Sequence, residues 1–428
     1  MVNPIYTCFD TVIGPSYHYG GLAMGNTHSL EHKHHVSYPK KAALQGLAKM
    51  KILLDHGVTQ YVLPPYQRDY KSLIQGYYDY QGDFEDNLKR LYDDNLQVFS
   101  AFFSASSAWL ANAWTMTPSI DSSDGCYHVT PANLKSCFHR QLDVNQTIAI
   151  LTKSLCSQSY VTCHDPVSFF DEGAANMIRL STDSKGLYLF VSGPSDTKRF
   201  DVRHDRRSWQ TLVSQHQLDP HYVIYLTQHP VAVDAGVFHN DVISFGLDDL
   251  LVVHENAFVD QANHCDTILE TYSSCFGTGL TLIQIPDSMF SLNDAVTSYF
   301  FNSQLVRKQN DCYLLIVPSR CQGLPVVDYF VSEVSKQWEK QLDVVYCNVD
   351  ESIKNGGGPA CLRNSIDVFD DHRSLFENRY VFTLDKYQRY LEIIERYYPD
   401  LFELSDCLSC EFVADLAGFS SFFNEALC

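Results

Sequence analysis

Asn355-Gly356-Gly357-Gly358-Pro359-Ala360-Cys361-Leu362-Arg363 is the stretch on which the reading of this chain turns. Three glycines run into a proline and then a cysteine. Glycine carries no side chain and reaches backbone angles closed to other residues, so chain and ligand can approach closely. A cysteine delivered by such a loop either faces a cavity or ends a turn as a buried structural thiol. The residue types leave both readings open, because reactivity depends on surroundings that favour the thiolate.

Around this stretch lie 428 residues, 45% hydrophobic and 19% charged, a globular composition with ample material for a core. No run approaches the roughly 18 apolar residues of a membrane span. Residues 1–10 lack a basic segment followed by an apolar one, so no signal peptide and a cytoplasmic setting are expected. The net charge of −20 disfavours nucleic acid, whose phosphates need clustered Lys and Arg. Arg203, Arg206 and Arg207 form the densest basic patch, and Asp201 and Asp205 interrupt it. An anionic substrate would therefore need a few local cations. The 14 cysteines are read as reduced thiols. Cys407 and Cys410 form one CxxC without a second pair. His28, His32, His34 and His35 cluster among polar flanks without HExxH and are read as a solvated loop, so no metal site is expected.

Short β-branched or aromatic runs at 187–191, 222–226, 250–253, 280–285, 312–317 and 344–347 read as strands. Residues 39–56 read as a helix opened by Pro39 and closed by Gly57, with Leu44, Leu47, Lys51 and Leu54 along one stripe. Residues 384–398 set Leu384, Tyr387, Leu391 and Ile394 at helical steps before Pro399, and 208–217 is a shorter case. Strands and helices mix throughout without a linker, which argues α/β or α+β as one continuous architecture over 1–428. No internal repeat is visible by eye.

Three further stretches could carry chemistry. In Gly236-Val237-Phe238-His239-Asn240-Asp241-Val242-Ile243, a strand starting near Phe238 would point His239 and Asp241 to one face. They could form a proton-moving pair or a structural one. Phe169-Phe170-Asp171-Glu172-Gly173-Ala174-Ala175-Asn176 ends an apolar approach in two acids, at either a site or a helix start. Gly14, Gly20, Gly21 and Gly25 suggest a ligand-wrapping loop, although neither GxGxxG nor GK[ST] is present. Asn112 and the pair His139-Arg140 are weaker signals.

Taken together, the blocks GPSYHYGGLAMGN, YPKKAALQGLAKMKILLDHGVTQYVLPP, ANAWTMTPSID, FHRQL, DEGAANMIRL, GVFHNDVI, YFFNSQL and NGGGPACLR closely resemble the N-succinylarginine dihydrolase family, nearly end to end. More distantly, GGGxxC and HxD resemble the guanidine-modifying (pentein) superfamily. The resemblance implies a five-bladed α/β propeller of approximate fivefold symmetry forming a single catalytic domain. It implies Cys361 as nucleophile, with His239 and Glu172 as the other catalytic residues. Gly20-Gly21-Leu22-Ala23-Met24-Gly25-Asn26-Thr27-His28-Ser29, Asn112, His139, Arg140, Arg203, Asp241 and Asn355 match substrate-binding positions. Thr27-His28 and Tyr38 depart from the family pattern. The implied reaction takes N2-succinylarginine and two waters to N2-succinylornithine, two ammonia and carbon dioxide, without metal or organic cofactor, in a homodimer. A one-step arginine deiminase or an amidinotransferase shares the Cys-His-acid core and is the alternative. A cysteine peptidase fits a carboxylate-rich site less well, and a non-catalytic amino-acid-binding protein would not need all three catalytic types.

Overall fold

The computed structural model describes residues 4–155, 158–182, 185–308, 312–369, 375 and 377–427. Five three-stranded sheets share one plan: a first strand antiparallel to a central strand, then a helical crossover to a third strand parallel to the centre. The central and third strands of one blade are β1 (Ile5–Thr11) and β2 (Thr59–Leu63). The next blade is β3 (Trp114–Thr117), β4 (Tyr127–Pro131) and β5 (Val161–Cys163). Then come β6 (Met177–Ser181), β7 (Gly186–Ser192) and β8 (Val223–Thr227). They are followed by β9 (Ser244–Leu247), β10 (Leu250–His254) and β11 (Thr281–Ile285). The fifth blade is β12 (Gln304–Arg307), β13 (Cys312–Pro318) and β14 (Gln341–Cys347). Finally β15 (Arg363–Val368) returns to pair antiparallel with β1, Ile5 opposite Val368 and Asp10 opposite Arg363, and so completes the first blade.

The central strands β7, β10 and β13 are near-continuous apolar runs because both of their faces are covered. All six expected strands are present within a few residues. The repeat invisible in the sequence is a repeat of pairing, which backbone groups make whatever the side chains are.

Helices Pro39–Asp55 and Leu384–Tyr397 are found as expected, but their stripes differ. The first buries Ala42, Ala43, Gly46, Leu47, Met50 and Leu53, and its buried cation is Lys49 rather than Lys51. Lys49 Nζ meets Asp10 of β1 at 2.5 Å with no solvent exposure. The second buries Tyr390 and Ile394 and leaves Leu384 exposed, because it packs on both the first helix and the helix Cys410–Leu427. The helix expected at 208–217 starts earlier, at Arg206, capped by the Asp205 side chain. At one end of the ring, an ion network joins the blades. Arg179 bonds Asp121 at 2.6 Å and Asp367 at 2.8 Å, and Arg307 bonds Asp367 and Asp248.

The cysteines depart from an all-reduced reading. Eleven of those described are outside any disulfide, whereas Cys163, exposed at the end of β5, is disulfide-bonded. Cys156 and Cys428 lie outside the described residues. No helix among the described residues is long and apolar enough to cross a membrane.

Candidate active site

The opposite end of the ring gathers the candidate residues, and one register places them. Glu172 and His239 each stand five residues before the first strand of their blades, which start at Met177 and Ser244. Asn112, Asn302 and Cys361 each stand two before theirs, which start at Trp114, Gln304 and Arg363. Four of the five first strands are preceded by a single 3₁₀ turn, which tips these side chains toward the axis. The expected strand through His239 and Asp241 is one of these turns, Asn240–Val242, and β9 begins only at Ser244. Asp171-Glu172 likewise precedes a 3₁₀ turn, Gly173–Asn176, rather than ending a strand.

Hydrogen bonds run from blade to blade around the axis. Ala111 N–H donates to the Cys361 carbonyl (3.2 Å), and Asn112 Nδ2 donates to the Glu172 carbonyl (3.2 Å). Asn240 N–H donates to Asn176 Oδ1 (2.8 Å), and Asn302 Nδ2 donates to the Asp241 carbonyl (3.1 Å). Ala360 N–H donates to the Asn302 carbonyl (3.0 Å). Each buried turn is thereby satisfied by its neighbour.

Cys361 Sγ lies 3.3 Å from Asp241 Oδ2 and accepts from Asn302 Nδ2 at 3.2 Å. His239 Nε2 is 2.9 Å from Glu172 Oε2, which also receives Arg140 Nη1 at 2.5 Å. Ser136 Oγ donates to the other Glu172 oxygen. Burial acts to raise the Glu172 carboxyl, but Arg140 and His239 overcome it and hold it well below the usual range. Burial lowers His239 despite Glu172, so its imidazole is neutral at rest. Burial and then Asp241 push the Cys361 thiol well above its ordinary value. Burial also raises Asp241, whose Oδ1 has no hydrogen-bond partner. A buried carboxylate oxygen without a partner, beside a thiol that burial keeps protonated, suits a cation that can donate hydrogen bonds.

Cys361, His239 and Arg140 open on a shared cavity. Gly20, Leu22, Ala23, Asn26, Ser29, Asn112, His139, Arg140, Arg203, His239, Asn355 and Cys361 all line it. Glu172 and Asp241 do not line it: Glu172 is bonded to His239 and Arg140, and Asp241, beside Cys361, lines a neighbouring cavity. Gly21, Met24, Gly25, Thr27 and His28 do not line the Cys361 cavity either; Met24 is exposed, and its carbonyl accepts from Arg203. His28, expected in a solvated loop, is buried in the helix Thr27–Glu31.

The glycines of the opening stretch serve protein neighbours. A Cβ on Gly356 would collide with Asn26 Nδ2, one on Gly357 with Trp109 Nε1, and one on Gly358 with Asn302 Oδ1. Asn355 then ties residues 20–29 to this loop: its Oδ1 accepts from Ser29 Oγ (2.8 Å), and its carbonyl accepts from Asn26 Nδ2 (3.2 Å). Trp109 and Asn302 were not singled out from the sequence, although Asn302 stands inside the block YFFNSQL quoted above. His18, Ser104, Ser106 and Phe238 line the cavity and carried no separate signal.

The profile of the succinylarginine dihydrolase family matches residues 5–419. The chain belongs to the succinylarginine dihydrolase family. It is 36% identical to N-succinylarginine dihydrolase of Photorhabdus laumondii over 433 residues, covering 97% of this chain and 96% of that one. It is 37% identical to the N-succinylarginine dihydrolase of Chromohalobacter salexigens over 406 residues, 92% and 90% of the two chains. Among solved structures, the N-terminal domain of an arginine dihydrolase from the cyanobacterial ornithine–ammonia cycle superposes with a TM-score of 0.54. It covers 84% of this chain and 97% of that domain at 13% identity, a likeness of fold. The five-bladed α/β propeller expected for a succinylarginine dihydrolase family member is the fold observed.

Proposed function

We propose that this protein hydrolyses N2-succinylarginine to N2-succinylornithine, two ammonia and carbon dioxide, with the whole chain acting as one catalytic unit. The observation that carries this reading is a buried thiol, in a cavity also lined by His239, in contact with an Asp241 carboxylate that keeps one unpartnered oxygen.

A guanidinium placed against Asp241 supplies the positive charge the resting site lacks. That charge favours the Cys361 thiolate, whose proton passes to His239. Sulfur attacks the guanidinium carbon, and His239 returns the proton to the departing ammonia, leaving an amidino thioether. Neutral again, His239 draws a proton from water, which attacks the same carbon. The tetrahedral adduct collapses, expels sulfur and leaves a ureido group. A second cycle consumes another water and releases ammonia and a carbamate that loses carbon dioxide. Glu172, held ionised by Arg140, orients His239 and stabilises its protonated form.

Arg140 is thus committed to Glu172. The substrate's two carboxylates, one succinyl and one α, fall to Arg203, stacked over Phe238 at 4.8 Å, and to His139, whose buried Nδ1 is unpartnered. A cytoplasmic setting and a homodimer complete the reading. Ammonia counted per N2-succinylarginine, with mass spectrometry of the products, tests it. Two ammonia with succinylornithine is expected. One ammonia with accumulating succinylcitrulline would leave a one-step deiminase instead.

A further inference from the structure

His28, Glu31 and His32 converge on one face of the helix Thr27–Glu31 and its C-cap. One ligand atom from each lies within 4.8 Å of the others. Spacing of three and four residues brings side chains to one side of a helix turn. The backbone also fixes which ring nitrogens are bare. His28 Nε2 lies 3.2 Å from the Val296 carbonyl, and His32 Nδ1 lies 2.8 Å from the His28 carbonyl. A carbonyl only accepts, so each of these nitrogens carries the ring proton. His28 Nδ1 and His32 Nε2 are left as lone pairs. An imidazole backed by a carbonyl on its far nitrogen is the arrangement that orients metal ligands. His28 is further fixed by the Tyr299 ring, 5.2 Å away, while Glu31 is exposed and offers a charged oxygen.

We propose that His28, Glu31 and His32 form a site for a divalent transition-metal ion of the zinc class. Two imidazoles and one carboxylate suit such an ion, with water completing the shell, whereas calcium and magnesium prefer all-oxygen sets. The site lies outside the cavity lining and takes no part in the guanidine chemistry. It nevertheless shares its helix with Ser29, which bonds Asn355, and His28 reaches the Val296 carbonyl. Occupancy therefore pins residues 26–32 between the Gly356 loop and the helix Leu292–Ser298.

Cobalt(II) titrated into the full-length protein and followed by absorption tests this. One saturable equivalent is expected, with bands of nitrogen and oxygen ligation and no intense sulfur-to-cobalt charge transfer. His32→Ala should weaken binding at least about tenfold, and Glu31→Gln, a change at an exposed position, should weaken it too. Zinc should raise the melting temperature of the parent and not of His32→Ala. Absence of saturable binding, a sulfur charge-transfer band, or parental affinity in Glu31→Gln would overturn the site, whether or not His32→Ala folds.

Discussion

Gly356, Gly357 and Gly358 each admit a different neighbour, so their substitutions should fail differently. Gly357→Ala must displace the Trp109 indole, which is held by Ser352 at 3.2 Å. Overpacking of this kind costs about 1–3 kcal/mol. Gly356→Ala adds a left-handed backbone, φ +88°, that costs a further ~1–2 kcal/mol outside glycine. Thermal unfolding of the two variants should rank Gly356→Ala below Gly357→Ala, with both below the parent. Among the reacting groups, Cys361→Ala should abolish turnover while N2-succinylarginine still binds, as calorimetry can measure. Arg203→Ala should raise KM far more than it lowers kcat, since its guanidinium lies over Phe238 and at the Met24 carbonyl, away from the thiol–Asp241 contact.

At the scale of elements, the buried Lys49–Asp10 pair joins the helix Pro39–Asp55 to β1. Asp10 Oδ2 has no hydrogen-bond partner, so removing the lysine strands a buried carboxylate. Lys49→Met alone should cost about 3–5 kcal/mol in urea unfolding, and adding Asp10→Leu should restore most of it. The same pair shows where sequence reading stopped. Helical spacing found the helix but chose Lys51 as its polar exception. The cation that matters is set by which face meets the sheet, and periodicity alone does not fix that. Val242-Ile243 likewise suggested a strand through His239. The inter-blade bonds of Asn240 and Asn302 instead favour a tight turn, and no residue type signals bonds made across 60 positions. Glu172, His239 and Cys361 were legible because they stand in dense motifs. The five- and two-residue offsets that align them were not, because they are counted from strand starts that only pairing defines.

Over the whole molecule, buried histidines set an acid limit. Burial holds His18 at about 4 and His204 at about 3, and lowers His139 and His216 well below the ordinary value. Each binds its proton more readily unfolded. The stability they contribute is therefore complete above about pH 6.5 and is lost as pH falls toward the folded values. Asp171, raised to about 7 chiefly by burial, and Asp241, also raised by burial, work the opposite way, but they are two groups against four. Unfolding free energy from urea titrations should drop steadily from pH 6.5 toward pH 4. A flat profile there would contradict neutral burial of these rings.

The pairing of β15 with β1 also has a consequence during synthesis. A ribosome delivers β1 and β2 early and reaches Arg363 some 300 residues later, roughly 15–60 s at ordinary elongation rates. Throughout that interval β1 lacks one strand neighbour, and its open edge invites pairing with the wrong chain. Cys361 emerges two residues before the strand that closes the gap. The nascent chain therefore gains its thiol and its last ladder almost together.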